Sequence, residues 1–268
     1  MKFIIAFFLV GSFTAANSQD LKVFWEKNDL GYTLFAKNDE YCPVSISLDL
    51  NITNIVFSEG DKKIFIVPPK AEKFQIGKLA LIPGKGGNFS YKYKSVLGDI
   101  TKAEYEKDKG YDLPFQKGRS FNVFQGYNGS FSHQNENSID FTMPEGTEVL
   151  AARDGMVIKV VQNNTQSCAE KECKKYNNFI LVYHPDGTFA EYVHLKFNSS
   201  KVKPGDAIKV GTLLGLSGNT GWSTGPHLHF VCFIPGFDKR NTVQTKFKTN
   251  TGTSLEYLVE KKTYLKEY

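Results

Sequence analysis

No histidine occurs in the first 132 of the 268 positions, and the five in the chain all fall at His133 or later. None of them stands in an H-E-x-x-H helix, which removes the helical zinc-hydrolase arrangement with its built-in glutamate base. Charge of one sign is also missing. Lys+Arg number 33 against 28 Asp+Glu, a balance of +5 spread along the chain without a basic stripe. Nucleic-acid binding therefore has no electrostatic footprint. After the first dozen residues no apolar run reaches 18, so no later segment is expected to span a bilayer. No repeat of 20–50 residues is visible, which excludes solenoid and propeller folds.

What is present is enough apolar material for a core: 41% of the residues are hydrophobic and 14% of the chain is aromatic. The N-terminus reads as a secretory leader. Lys2 precedes the apolar run from Phe3 to Val10, and small residues follow at Ala15, Ala16 and Ser18. Residues 1–18 are expected to be removed and the remainder exported. No cysteine follows the small residues, so no lipid anchor is expected there.

Strand signals dominate the rest. YTLFAKN, VSISLDLNI, KIFIVPP and NFSYKYKSV are bounded by Gly, Pro, Asn or Asp, and Val44, Ile46 and Leu48 alternate with Ser45, Ser47 and Asp49. Residues 19–118 therefore read as a small β-sandwich-like domain ending in a polar linker over Asp99–Gly118, and residues 119–268 as a second β-rich domain. A fragment starting near Gly118 is expected to fold alone. In the second half DGMVIKVV, FILVYH, AEYVHL, AIKVG, LLGLSG and HLHFVCFI are separated by tight glycine turns.

The four cysteines divide into two kinds. Cys168 and Cys173 lie in CAEKEC, a polar segment between strands, where a disulfide is favoured over a pair of zinc thiolates. Cys42 and Cys232 read as packed thiols, with pairing left open.

The histidines carry the chemistry. His227 and His229 flank Leu228, and on a strand residues i and i+2 share a face, so both imidazoles point one way. Two imidazoles side by side are costly to bury without polar partners. Asp140 projects from the polar face of SIDFTM, and His133 lies seven residues before it. Imidazole and carboxylate donors in this combination suit a tetrahedral zinc site with one position left for water. His184, at a Pro-Asp-Gly turn, reads as structural or superficial. Gly218, Gly221 and Gly225 read as turn and groove wall, and Trp222 as either a substrate contact or a core cover.

From about Gly126 to Arg240 the sequence resembles the lysostaphin/LytM-type zinc metallopeptidases that cleave peptidoglycan. The resemblance rests on His133 with Asp140, GTEVLAARDGMV, EYVHL, KPGDAIKVGTLLG and SGNTGWSTGPHLHF, five pieces in order. It implies a duplicated hybrid motif (barrel-sandwich hybrid) fold for the second domain. It further implies one Zn²⁺ held by His133, Asp140 and His229, with His194 and His227 as the catalytic pair. His227 is the expected base and His194 the expected oxyanion stabiliser, with the reverse left open. Six residues separate His133 from Asp140 where the family commonly has three, and Val231 follows Phe230 where Glu is frequent. The resemblance implies an exported, periplasmic or extracellular zinc metalloendopeptidase acting on peptidoglycan. The alternative is a non-catalytic module of the same fold that binds peptidoglycan or activates another hydrolase.

Overall fold

The protein is seen in a computed structural model that describes residues 20–102 and 105–268. The expected leader lies outside the described residues. Among the described residues the regular structure is almost entirely β-strand, as the alternating patterns require.

The first seven strands are β1 (Leu21–Asn28), β2 (Gly31–Asn38), β3 (Val44–Thr53), β4 (Ile55–Phe57), β5 (Ile64–Val67), β6 (Phe74–Leu81) and β7 (Asn88–Leu97). They form a four-stranded sheet in the order β1-β2-β6-β4 and a three-stranded sheet β5-β3-β7. Apolar residues from both sheets close one core, among them Leu34, Ile46, Phe65 and Leu79. In β3 the inner phase Val44, Ile46 and Leu48 is buried, as the alternation requires. Ser45, in the opposite phase, is buried too. Its Oγ donates to the Gly98 carbonyl at 2.7 Å and accepts from Ile100 N–H at 3.0 Å, which offsets its desolvation. β1 and β6 did not stand out in the sequence, because Lys, Glu and Gln interrupt their apolar phase.

Fifteen further strands follow: β8 (Ser120–Gln125), β9 (Ser138–Phe141), β10 (Glu148–Leu150), β11 (Gly155–Val161), β12 (Ser167–Cys168), β13 (Phe179–Tyr183), β14 (Phe189–Val193), β15 (Ala207–Ile208), β16 (Leu213–Leu216), β17 (Gly221–Trp222), β18 (Leu228–Ile234), β19 (Asn241–Val243), β20 (Lys246–Thr249), β21 (Ser254–Tyr257) and β22 (Thr263–Leu265). A nine-stranded sheet runs β15-β11-β13-β14-β18-β9-β8-β22, with β19 also pairing β18. One face of it carries Ile180, Val182, Ala190, Tyr192, Leu228 and Phe230 into a core of its own.

The other face is divided. At one end Ile158, Leu181, Phe189 and Phe233 join the core of the N-terminal sandwich, so the two halves share buried apolar surface. At the other end, on the same phase of β14 and β18, Glu191, Val193 and His229 line an open groove. The segment expected to be a polar linker is only partly so. Tyr111, Leu113 and Phe115 are buried in the second core, and Tyr111 bridges to Phe247. No helix forms in the described part of that segment. Among the described residues no helix is long and apolar enough to cross a membrane.

Candidate metal centre

Sheet register assembles the site. Val193, His229, Asp140 and Gln125 follow one another across β14, β18, β9 and β8 as directly paired residues. Side chains opposite each other on neighbouring strands share a face, so Asp140 and His229 meet, with Oδ1 and Nδ1 2.9 Å apart. Asp140 is buried, not on a solvated strand face, because the groove histidines and Gln125 cover it.

His133 comes from the loop between β8 and β9, and it is also buried. Its Nδ1 lies 3.0 Å from the Gly126 carbonyl, which can only accept, so Nδ1 carries the proton. Nε2 then faces Asp140 Oδ2 at 3.2 Å with a lone pair, and it has no hydrogen-bond partner. Two acceptors at that separation repel unless a proton or a cation lies between them. Burial opposes charging His133, but the Asp140 carboxylate outweighs it and raises the imidazole pKa. Burial likewise opposes charge on Asp140, while His133 and His229 hold its carboxyl well below the usual range. The ligand atoms of His133, Asp140 and His229 all lie within 4.8 Å of one another. Two nitrogens and a carboxylate oxygen so spaced fit a zinc ion, with open coordination left over.

His194 and His227 stand beside this triad, their ring centroids 4.5 Å apart. His194 Nδ1 donates to the Thr220 carbonyl at 2.6 Å, and His227 Nδ1 to the Gly225 carbonyl at 2.8 Å. Both rings therefore present an Nε2 lone pair; that of His227 is 3.8 Å from Asp140 Oδ1. Burial, then the neighbouring imidazoles, pushes the His194 pKa well down. Burial also lowers that of His227, against the pull of Asp140. His194, just after β14, lies in the left-handed region at φ 65°, a conformation that costs of order 1–3 kcal/mol for a side chain with Cβ and that clusters at functional sites.

All five expected site residues line one groove of 410 Å³, with Phe124, Phe131, Trp222 and Gly225 on its walls. His184 does not reach it. It is fully buried, donates to the Asp154 carbonyl at 2.7 Å, and is packed edge-on to Tyr111, which makes it structural and not superficial. Cys168 and Cys173 form a disulfide, so they offer no thiolate pair; Cys42 and Cys232 are free and buried.

Sequence reading missed the supports. Gln125 Oε1 accepts from Phe131 and Ser132 N–H at 3.0 and 2.8 Å, and its Nε2 donates to Asp140 at 3.1 Å. It thereby ties the His133 loop to the carboxylate. The sequence period would place Gln125 on the inward face with Phe121 and Val123; a register shift between Val123 and Gln125 turns it to the groove face opposite Asp140, and no sequence pattern marks that shift. The longer spacing after His133 carries Glu136, which with Glu191 holds Arg240. Nothing in the sequence pairs those three.

Residues 134–241 match the model of Peptidase family M23. The glycyl-glycine endopeptidase ALE-1 of Staphylococcus capitis is 36% identical over 133 residues, 48% of this chain and 32% of that protein. The peptidoglycan DD-endopeptidase ShyA of Vibrio cholerae is 35% identical over 100 residues, 37% of this chain and 20% of that protein. A solved catalytic domain of lysostaphin from Staphylococcus simulans is 29% identical, with 44% of this chain and 82% of that one covered at a TM-score of 0.33. The chain spans about a fifth to a third of the length of these curated relatives.

Proposed function

From a chain that carries a Peptidase family M23 domain, we propose an exported zinc metalloendopeptidase that hydrolyses peptide bonds in peptidoglycan crosslinks or bridges. One observation supports it above the others: the buried, unpartnered Nε2 of His133 faces the Asp140 carboxylate beside two further groove imidazoles.

His133, Asp140 and His229 would hold the zinc. Bound there, zinc supplies a Lewis acid and lowers the pKa of a coordinated water towards neutrality. Gln125 orients Asp140, and the Gly126 carbonyl orients His133, as outer partners of ligands do. Burial keeps His194 and His227 neutral, and both Nε2 atoms then accept protons. His227, whose pKa is less strongly depressed, takes the proton of the attacking water as general base. His194 sits 4.5 Å from it, ring to ring, and the proton that His227 takes from the water would pass to His194 Nε2, from which it is donated to the anionic carbonyl oxygen. Phe124, Phe131 and Trp222 flank an extended peptide in the groove.

The test is zinc content by elemental analysis together with fragment release from purified sacculi of known bridge chemistry. One zinc per chain with cleaved peptide bonds is expected. Zinc-free protein that binds sacculi without cleaving them would favour the non-catalytic module instead.

A further inference from the structure

β11 and β13 are antiparallel neighbours, with Val161 opposite Phe179, and a tight turn of a few residues would join them. Instead the chain makes an excursion over residues 162–178. It contains β12, the short 3-10 helix Lys171–Tyr176 and the Cys168–Cys173 disulfide. This strap packs against residues 219–225, the loop whose carbonyls orient both His194 and His227.

The contacts are dense and directional. Gly221 N–H donates to the Gln166 carbonyl at 2.7 Å, and Ser223 N–H to the Cys168 carbonyl at 3.1 Å. Trp222 Nε1 donates to the Ala169 carbonyl at 2.8 Å, and Trp222 N–H to Asn177 Oδ1 at 3.0 Å. At the base of the strap Asn178 N–H donates to Thr220 Oγ1 at 3.1 Å. Two of the acceptors, Cys168 and Ala169, lie inside or at the edge of the disulfide ring. From this loop Thr220 orients His194 and Gly225 orients His227, and Ser223 Oγ lies 3.2 Å from His227 Nδ1. The triad has separate supports, in strand register, Gln125 and Gly126.

We propose that the disulfide-closed strap is the positioning element of the His194–His227 pair, so that opening the Cys168–Cys173 bond disables turnover while the metal triad stays intact. This rests on the proposed peptidase reading. The opening step needs a reductant, and a phosphine balances it. The phosphine attacks one sulfur, the S–S bond breaks, and water gives its oxygen to phosphorus. Phosphine oxide forms, and the two protons from water leave both sulfurs as thiols. Unlike a dithiol reductant, a phosphine brings no sulfur chelate to the metal.

The experiment compares oxidised protein, phosphine-reduced protein and the C168S/C173S variant. Zinc content, kcat and KM on purified cell-wall peptide, and the imidazole Nδ1–H resonances of ¹⁵N-histidine-labelled metal-free protein are measured. Zinc content is expected to hold while kcat falls about 10²-fold, the loss that a displacement of about 1 Å in catalytic groups produces. The His194 and His227 Nδ1–H signals are expected to broaden while those of His133 and His184 persist, and phosphine should not affect the serine variant. Should that variant fail to fold, Trp222→Phe removes one strap-to-loop hydrogen bond with the disulfide intact, and broadening of the His194 and His227 Nδ1–H signals in the metal-free protein is expected, a readout that a lost substrate contact would not move. Unchanged kcat and sharp His194 and His227 signals after reduction would overturn the proposal. Zinc-loaded oxidised protein without activity would overturn the peptidase reading, and the resonances would still decide the role of the strap.

Discussion

At the scale of single residues, the proposed function divides the groove into groups that would hold a metal and groups that would move protons. His133→Ala, Asp140→Ala and His229→Ala are each expected to lose bound zinc and activity. His194→Ala and His227→Ala should keep zinc and lose about 10²–10⁴ in rate, the usual worth of a positioned acid or base. Elemental analysis beside initial rates distinguishes the two classes. Gln125→Leu leaves Phe131 and Ser132 N–H unpaired and Asp140 without its outer donor. Outer partners are typically worth about 10–100-fold in metal affinity, and competition with a chromogenic chelator should find a loss of that size. His184 acts on stability. Burial pushes its pKa down to about 4, below the unfolded value near 6.5. The unfolded chain therefore binds a proton first as pH falls. The stabilisation is complete above about pH 6.5 and declines through the window down to about 4. Between pH 7 and 5 the loss is about 2 kcal/mol by linkage. Urea denaturation at the two pH values should show a loss about that much larger in the wild type than in His184→Phe, because the other buried imidazoles titrate in both.

At the scale of elements, a β-sheet row does the assembling. β14, β18, β9 and β8 present Val193, His229, Asp140 and Gln125 as successive partners, and a one-residue slip of any strand would turn its contribution to the opposite face. The second assembling element is the contact between the strap and β17. Gly221 has φ 78°, and a Cβ there would come 1.8 Å from Asn177 Oδ1. Gly221→Ala therefore meets both a backbone penalty and a collision with the strap. The expected result is a lowered melting temperature and a fall in kcat, with zinc content unchanged.

At the scale of the whole molecule, the two halves are joined through buried surface. Removing residues 1–117 would expose Ile158, Leu181, Phe189 and Phe233, all buried in the shared core. At about 1.5–3 kcal/mol for each large apolar side chain, their burial is together worth roughly 6–12 kcal/mol. That is of the order of a whole domain's stability, about 5–15 kcal/mol. A fragment from Gly118 is therefore expected to bind a hydrophobic dye and to aggregate. Replacing Phe189 and Phe233 with polar residues in that fragment should restore solubility. Metal removal would act globally as well if zinc is held as proposed: a ligand at 100 times its Kd stabilises by about 2.7 kcal/mol. Chelation should then lower the melting temperature by about 5–10 °C, alongside the loss of activity.

The residues of the site were legible in the sequence because their chemistry is local. His227 and His229 share a face by strand periodicity, and His133, Asp140 and His194 were named by the resemblance of the motifs around them. The strands with clean alternation, such as β3, were legible for the same reason, as was the closeness of Cys168 to Cys173. Three things were decided only by the tertiary structure. Gln125 became a support because register set it opposite Asp140, and register depends on every strand between them. Thr220 and Gly225 came to orient the two imidazoles through backbone carbonyls, which any residue type carries and which leave no trace in composition. The halves came to share a core because the outward phase of β14 and β18 changes, along its length, from groove wall to docking surface, and β11 and β13 extend that surface with Ile158 and Leu181. An alternating pattern shows that a side chain has left one face of a sheet; what it meets on the other face depends on chain that is distant in sequence.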